Sequence, residues 1–185
     1  MAKQIKYTIR FYSEWHCGSG LGAGAEVDNL VVKDRQLMPF VPGKTIKGLL
    51  REAVEELSLI SNERVKELFG YTDSETHQMT EGSLYFKNAV LEESEREAIL
   101  SRGLREYLYR IKASTKIDEM GIAANQSLRS IETVIPCKLQ AAVMNVQDED
   151  IEVLEDAMRY VKRIGMCRNR GLGRCDFMNF KVEEI

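Results

Sequence analysis

The stretch Pro39-Phe-Val-Pro-Gly-Lys-Thr-Ile-Lys-Gly-Leu-Leu-Arg51 joins two segments that cannot share one backbone conformation. A short apolar run ends at Pro42-Gly43. Beyond it Ile46, Leu49, Leu50, Ala53, Val54 and Leu57 recur at i, i+3, i+4 and i+7, the period of an amphipathic helix. The chain must therefore turn sharply at Pro-Gly, giving strand, tight turn and a helix over residues 44–58. Lys44, Lys47 and Arg51 fall in the first turns of that helix, beside backbone N–H groups that have no intrahelical partner. Cations sit poorly at the positive end of a helix dipole, so their presence there points to an anion, and a phosphate fits. A solvated helix start is the plainer alternative. Gly43-Lys44-Thr45 is half of the nucleotide-binding pattern G-x-x-x-x-G-K-S/T, but its first glycine would fall on Met38, which excludes that motif.

At 185 residues the chain has length for one domain, with room for a sizeable insertion and a real core. No run reaches the apolar length of a membrane span, and Met1-Ala2-Lys3-Gln4 leads straight into an alternating segment, so we expect no secretory signal, no membrane contact and a cytoplasmic location. The four cysteines form no C-x-x-C pair and there are only two histidines, which argues against a zinc site and for reduced thiols. The formal charge of −3 disfavours a freestanding nucleic-acid binder, but base is concentrated in 44–51 and 162–174. A local basic surface on an acidic body suits RNA binding inside an assembly.

In chain order, residues 4–12 alternate as a half-buried strand. The glycine-rich loop Trp15-His-Cys-Gly-Ser-Gly-Leu-Gly-Ala-Gly24 follows, able either to let backbone approach a ligand or simply to connect. Asp28, before the apolar Leu30-Val31-Val32, reads locally as a turn former. A short helix from Asn62 to Phe69 closes at Gly70. Residues 71–80 read as loop, 82–91 as strand and 94–108 as helix. Residues 109–135 are polar and cationic without a clean period, an inserted arm whose part around Ser127–Pro136 alternates enough to return as a strand. A strand over 136–146, a helix over 151–164, the loop Gly165–Arg174 and a final strand over 175–182 complete the chain.

With the small helix and loops set aside, the order is β-α-β-β-α-β, an α+β ferredoxin-like (RRM-like) core with an inserted thumb-like arm at about 109–135. The aromatic signature by which RNA-recognition domains stack bases is missing from the central strands, so RNA would not be bound in that way. The loop Arg168-Asn-Arg170-Gly-Leu-Gly-Arg174 offers three arginines on a tight, glycine-bearing turn, apt for phosphate.

Two basic loops together carry a resemblance. Pro-Gly-x-x-Ile-Lys-Gly-x-Leu-Arg after a glycine-rich loop, with Arg-Gly-Leu-Gly-Arg before the last strand, resembles the RAMP superfamily of CRISPR-associated proteins. More narrowly, the chain resembles the repeated backbone subunit of type III effector complexes. Glu26-Val-Asp28-Asn-Leu-Val-Val is similar to the loop bearing that subunit's target-cleaving aspartate. Leu128-Arg129-Ser-Ile-Glu132-Thr-Val-Ile-Pro136 is similar to the stem of its thumb, and Leu68-Phe69-Gly70 to a short motif after its first long helix. The similarity spans residue 5 to the C-terminus and implies a single RAMP domain over 1–185. It implies that His16, Gly18, Lys44, Lys47, Arg51, Arg129, Arg168, Arg170 and Arg174 hold a CRISPR guide RNA. It implies a thumb that wedges into the guide–target duplex, with base pairing left to choose the target. Asp28 would be the catalytic residue of a metal-dependent endoribonuclease, with Mg²⁺ or another divalent cation and Asp28 as its ligand, cutting single-stranded target RNA. Its partners would be further copies of the chain and the other type III subunits. Lys44 departs from the small hydroxyl residues usual after Pro-Gly, which leaves open a non-cleaving scaffold subunit. A guide-processing endonuclease of the same superfamily and a small ferredoxin-like protein unrelated to RNA are weaker alternatives.

Overall fold

Ile5, Tyr7, Ile9 and Phe11 are all buried, while Lys6 and Arg10 between them are exposed. This alternation makes β1 (Lys3–Phe11) an inner strand with one face toward a core. The computed structural model describes every residue except Met1, Ala25 and Ser74. In it β1 pairs antiparallel with β7 (Lys138–Val146) on one side and β8 (Cys175–Glu184) on the other, and β4 (Tyr85–Phe86) adds to the outer edge of β7. The four-stranded sheet thus runs β4-β7-β1-β8, antiparallel throughout.

Helices α1 (Gly43–Glu56) and α4 (Ile151–Tyr160) pack on each other and share the core with β1. Their buried stripes are Ile46, Leu50, Ala53 and Val54 on α1, and Leu154, Ala157 and Met158 on α4. Helix α2 (Asn62–Phe69) is capped by Ser61, whose hydroxyl accepts the Arg64 N–H, and ends at Gly70 with φ +74°. Burial pushes the Cys17, Cys137 and Cys175 thiols up to about 12, so all three stay protonated near neutrality.

Several boundaries differ from the sequence expectation. The 82–91 strand is laddered only at Tyr85–Phe86. Lys87 donates to the Ala142 carbonyl and Val90 exchanges bonds with Gln140, so three steps on one strand face two on the other. The resulting bulge turns Ala89 away to pair with Val41 and lets Asn88 Oδ1 accept the Gly43 N–H at 2.8 Å. The 94–108 helix divides: α3 (Glu93–Ser101) buries nothing, Gly103 turns at φ +66°, and a 3₁₀ turn covers Arg105–Leu108. The 151–164 helix stops at Tyr160. Val161 and Ile164 stay buried, which is why the stripe runs on, but Ile164 N–H donates to Gly173 and Lys162 accepts from Cys175 N–H. The expected loop contains two short paired strands, β2 (Tyr71–Thr72) and β3 (Met79–Thr80).

The arm is more ordered than its composition suggests. β5 (Tyr109–Ser114) and β6 (Arg129–Val134) form a six-pair antiparallel ladder. At its far end Ile117, Met120, Ile122 and Leu128 are all more than half exposed.

Two glycines of the Pro-Gly-to-helix motif differ physically. A Cβ on Gly43 would run into the Phe86 carbonyl, whereas one on Gly48 would meet nothing. In chemical denaturation Gly43→Ala should lose about 1–3 kcal/mol, and Gly48→Ala should gain about 0.5–1 kcal/mol. Equal effects of the two substitutions would refute this packing account.

Candidate nucleic-acid interface

Three separated stretches meet at the N-terminus of α1. His16, Cys17 and Gly18 from the first glycine-rich loop, Pro42, Lys44 and Thr45 from the helix start, and Gly165, Met166 and Arg168 from the last loop line one open groove. The two glycine-bearing loops are bonded backbone to backbone, with Met166 N–H donating to the His16 carbonyl at 2.8 Å. Gly165, at φ +95°, lies so close to that carbonyl that no Cβ would fit. Gly173 N–H donates to the Glu14 carbonyl at 2.8 Å, and Gly173 itself backs onto Ile164. The glycines therefore hold the loops together here as well as leaving room for a ligand.

Of the expected RNA-contacting residues, the structure brings His16, Gly18, Lys44 and Arg168 into this groove. Lys44, Lys47 and Arg51 line a neighbouring groove whose other wall is the β2–β3 hairpin and the Gly82–Phe86 segment. Lys44 and Lys47 make no ion pair among the described residues. Arg51 is already committed, with Nε donating to Glu55 Oε1 at 2.8 Å and Nη1 to the Gly70 carbonyl at 3.1 Å. It ties α1 to the Leu68-Phe69-Gly70 turn. Arg168 and Arg170 belong to a 3₁₀ turn between two left-handed residues, Cys167 and Gly171. Arg174 lies apart, its guanidinium 5.8 Å from the Tyr12 ring that Arg10 also approaches.

His16 is fully buried, with Nδ1 at 2.5 Å from the Glu132 carbonyl. A carbonyl accepts only, so Nδ1 carries the proton of the neutral ring and Nε2 is the acceptor. Nε2 has no hydrogen-bond partner among the described residues. A Cβ on Gly18 would come within 3.2 Å of it.

Asp28 and Arg129 lie elsewhere, at the root of the arm. Asp28 is exposed, its N–H donates to the Ser130 carbonyl at 2.8 Å, and its Oδ2 accepts the Ser130 N–H at 2.6 Å. Among the described residues the carboxylate makes no local turn bond, contrary to the turn-former reading; one of its oxygens is spent on docking to β6, where Arg129 is the first residue. Among the described residues no three potential metal ligands cluster. The donor set at Asp28 is one uncommitted carboxylate oxygen. It suits a hydrated Mg²⁺ only if phosphate oxygens complete the shell, as is usual for that ion.

Sequence reasoning missed Glu132 and Lys33 as parts of the site. Glu132 is 7% exposed. Its Oε1 accepts from Lys33 Nζ at 2.7 Å and its Oε2 from the Val31 N–H at 3.1 Å. Lys33 Nζ also lies 4.0 Å from the Tyr109 ring centroid, and burial together with the Glu132 charge raises the Tyr109 pKa. The sequence carried little signal for Glu132, since its register in β6 is Ser130, Glu132 and Val134, and Thr133 between them is buried as well. Nothing local marks Lys33.

Many chains in solved structures resemble this fold, among them two from type III-B complexes. A chain of the type III-B Cmr-beta complex bound to cognate target RNA superposes with TM-score 0.73 at 16% identity, covering 99% of this chain and 61% of its own length. A chain of the same kind of complex in the apo state gives TM-score 0.68 at 11% identity, covering 95% and 96% respectively. This chain therefore spans about three fifths of the first of these relatives. No curated protein sequence matches it significantly. The family model of the RAMP superfamily matches residues 8–176, nearly the whole chain, and the protein belongs to that superfamily.

Proposed function

We propose that this protein is a guide-RNA-binding backbone subunit of a type III CRISPR interference complex and that it cleaves complementary target RNA through Asp28. The observation that carries the binding half is the meeting of His16, Gly18, Lys44 and Arg168, remote in sequence, in one groove. Two cations at a helix start and a glycine-bearing turn suit a phosphate chain and carry no base preference. The similarity to chains of Cmr-beta complexes supports this reading. The ferredoxin-like reading of the core is supported by the strand order β4-β7-β1-β8 with α1 and α4 packed together. The exposed Ile117, Met120, Ile122 and Leu128 at the end of the arm suit a wedge that unstacks bases and makes room through apolar contact.

The cleaving half rests on the position of Asp28, exposed at the root of that arm and held by Ser130. In the proposed reaction the Asp28 carboxylate takes the proton of a target 2′-hydroxyl. The 2′-oxygen bonds to the adjacent phosphorus and the bond to the 5′-oxygen breaks, leaving a 2′,3′-cyclic phosphate and a 5′-hydroxyl that takes its proton from water. A divalent cation held by RNA phosphate oxygens, with Asp28 reaching it through one of its waters, would offset the charge gathering on the phosphoryl oxygens. The non-cleaving scaffold has one observation in its favour: Asp28 already has a structural task, its bond to Ser130 N–H. A guide-processing role with His16 as general base fits poorly, since that ring is fully buried.

In the reconstituted complex with Mg²⁺, Asp28→Ala should abolish regularly spaced cuts in a guide-complementary RNA while leaving guide binding intact. Cuts that persist would reduce the chain to a scaffold. Lys44→Ala and Arg168→Ala should each weaken guide binding regardless of sequence and lower the salt slope by about 0.7. An unchanged slope would remove these side chains from the RNA path. Arg51→Ala should instead lower the melting temperature, because it releases the Gly70 carbonyl.

A further inference from the structure

The outer edge of β6 is sutured to the body of the protein at every second residue. Ser130 exchanges two bonds with Asp28, its N–H to Oδ2 and its carbonyl to the Asp28 N–H. Glu132 N–H donates to the Asn29 carbonyl at 2.9 Å, and the Glu132 carbonyl accepts from His16 Nδ1. Val134 exchanges two backbone bonds with Trp15. The other edge of β6 carries β5, so one strand belongs both to the arm and to the body. At the middle of this seam stands a charge removed from water. Glu132 accepts from Val31 N–H and from Lys33, and Lys33 rests on Tyr109, the first residue of β5. Tyr109 in turn donates its hydroxyl to the Leu37 carbonyl at 2.6 Å.

We infer that Glu132 is a positioning residue, and that through Val31 and Lys33 it locks the arm and the Asp28 segment into one rigid unit. The consequence for catalysis rests on the reading of Asp28 as the cleaving group. An arm that displaces a target nucleotide then carries the carboxylate with it, and the cut falls at a fixed offset from the displaced base. The chemistry requires this kind of coupling, since a carboxylate acting on one 2′-hydroxyl must be held to within about 1 Å. Asp28 sits on an irregular segment and cannot supply that precision alone. The buried ion pair also explains why a carboxylate occupies an inward position: with Val31 N–H and Lys33 both present, its oxygens are satisfied, and removal of either partner leaves a buried group unpaired.

The test begins on the isolated full-length chain. Glu132→Ala and Lys33→Met are compared with wild type by hydrogen–deuterium exchange, and Lys33→Met serves where Glu132→Ala fails to fold. Exchange should rise about tenfold in residues 28–32 and in 129–134 together, with the β1–β7 ladder unchanged. A rise in only one of these segments, or in neither, would overturn the coupling. In the reconstituted complex the same variants should slow target cleavage by about 10²-fold and blur the cut positions, with guide and target affinity within about twofold. A variant that loosens both segments yet cuts at wild-type rate and position would refute the positioning role. Asp28→Ala in parallel separates the two ideas: if it still cuts, the nuclease reading fails and the coupling stands or falls on the exchange data.

Discussion

Backbone polar groups buried away from water must find partners, and β6 meets this demand along both edges at once. One edge holds β5, and the other holds Trp15, His16, Asp28 and Asn29. The two glycine-bearing loops and the Asp28 segment lean on this strand or on something bonded to it, whereas α1 packs on α2, α4 and β4. The His16 loop reaches it through Nδ1 and through Trp15, and the last glycine loop reaches the His16 loop through Met166 N–H and Gly165. Remove the pairing of β6, and both the groove between the glycine-bearing loops and the Asp28 segment lose their common reference.

This arrangement accounts for which parts of the fold were legible in the sequence. An element that buries one face writes its period into the chain, as β1, α1 and the start of α4 do with Ile5 to Phe11, Ile46 to Val54 and Leu154 to Met158. An element stabilised through its edges writes nothing comparable. β5 has the exposed residues Arg110, Ile111, Lys112, Ala113 and Ser114, and only its hydrogen bonds to β6 make it a strand. The sequence pattern therefore showed the strand returning around 127–136 but not its partner β5. Val161 and Ile164 mislead in the opposite sense, because they remain buried after the helix has ended and been replaced by pairing with Gly173 and Cys175.

The candidate site was legible to the extent that its chemistry is local. A glycine beside a cation marks a place where backbone and phosphate can meet, and that signal identified the last loop and the helix start, while the first loop showed glycines alone. Their convergence on one groove was not visible, since it depends on a strand order that joins residues 16, 44 and 168. Nor was the division of labour among the basic residues. Arg51 has the same charge as Lys44 but spends it on Glu55 and the Gly70 carbonyl. Asp28 likewise spends one oxygen on a long-range bond to Ser130 that no local pattern announces, while the residue stays exposed.

The net charge of −3 is compatible with a polyanionic ligand once the geometry of the ion pairs is considered. Glu149 and Asp150 are engaged by Arg64, Asp148 by Lys3, and Asp176 by Lys162. These acids are offset on the body by their own cations, while Lys44, Lys47 and Arg168 have no ion-pair partner among the described residues. At physiological ionic strength a charge is felt over about 8 Å. A phosphate at the groove therefore responds to the nearby unpaired cations and little to neutralised pairs farther away. For that reason local charge placement, set by the seam at β6 and the glycine contacts, governs what the surface can hold, and the formal total does not.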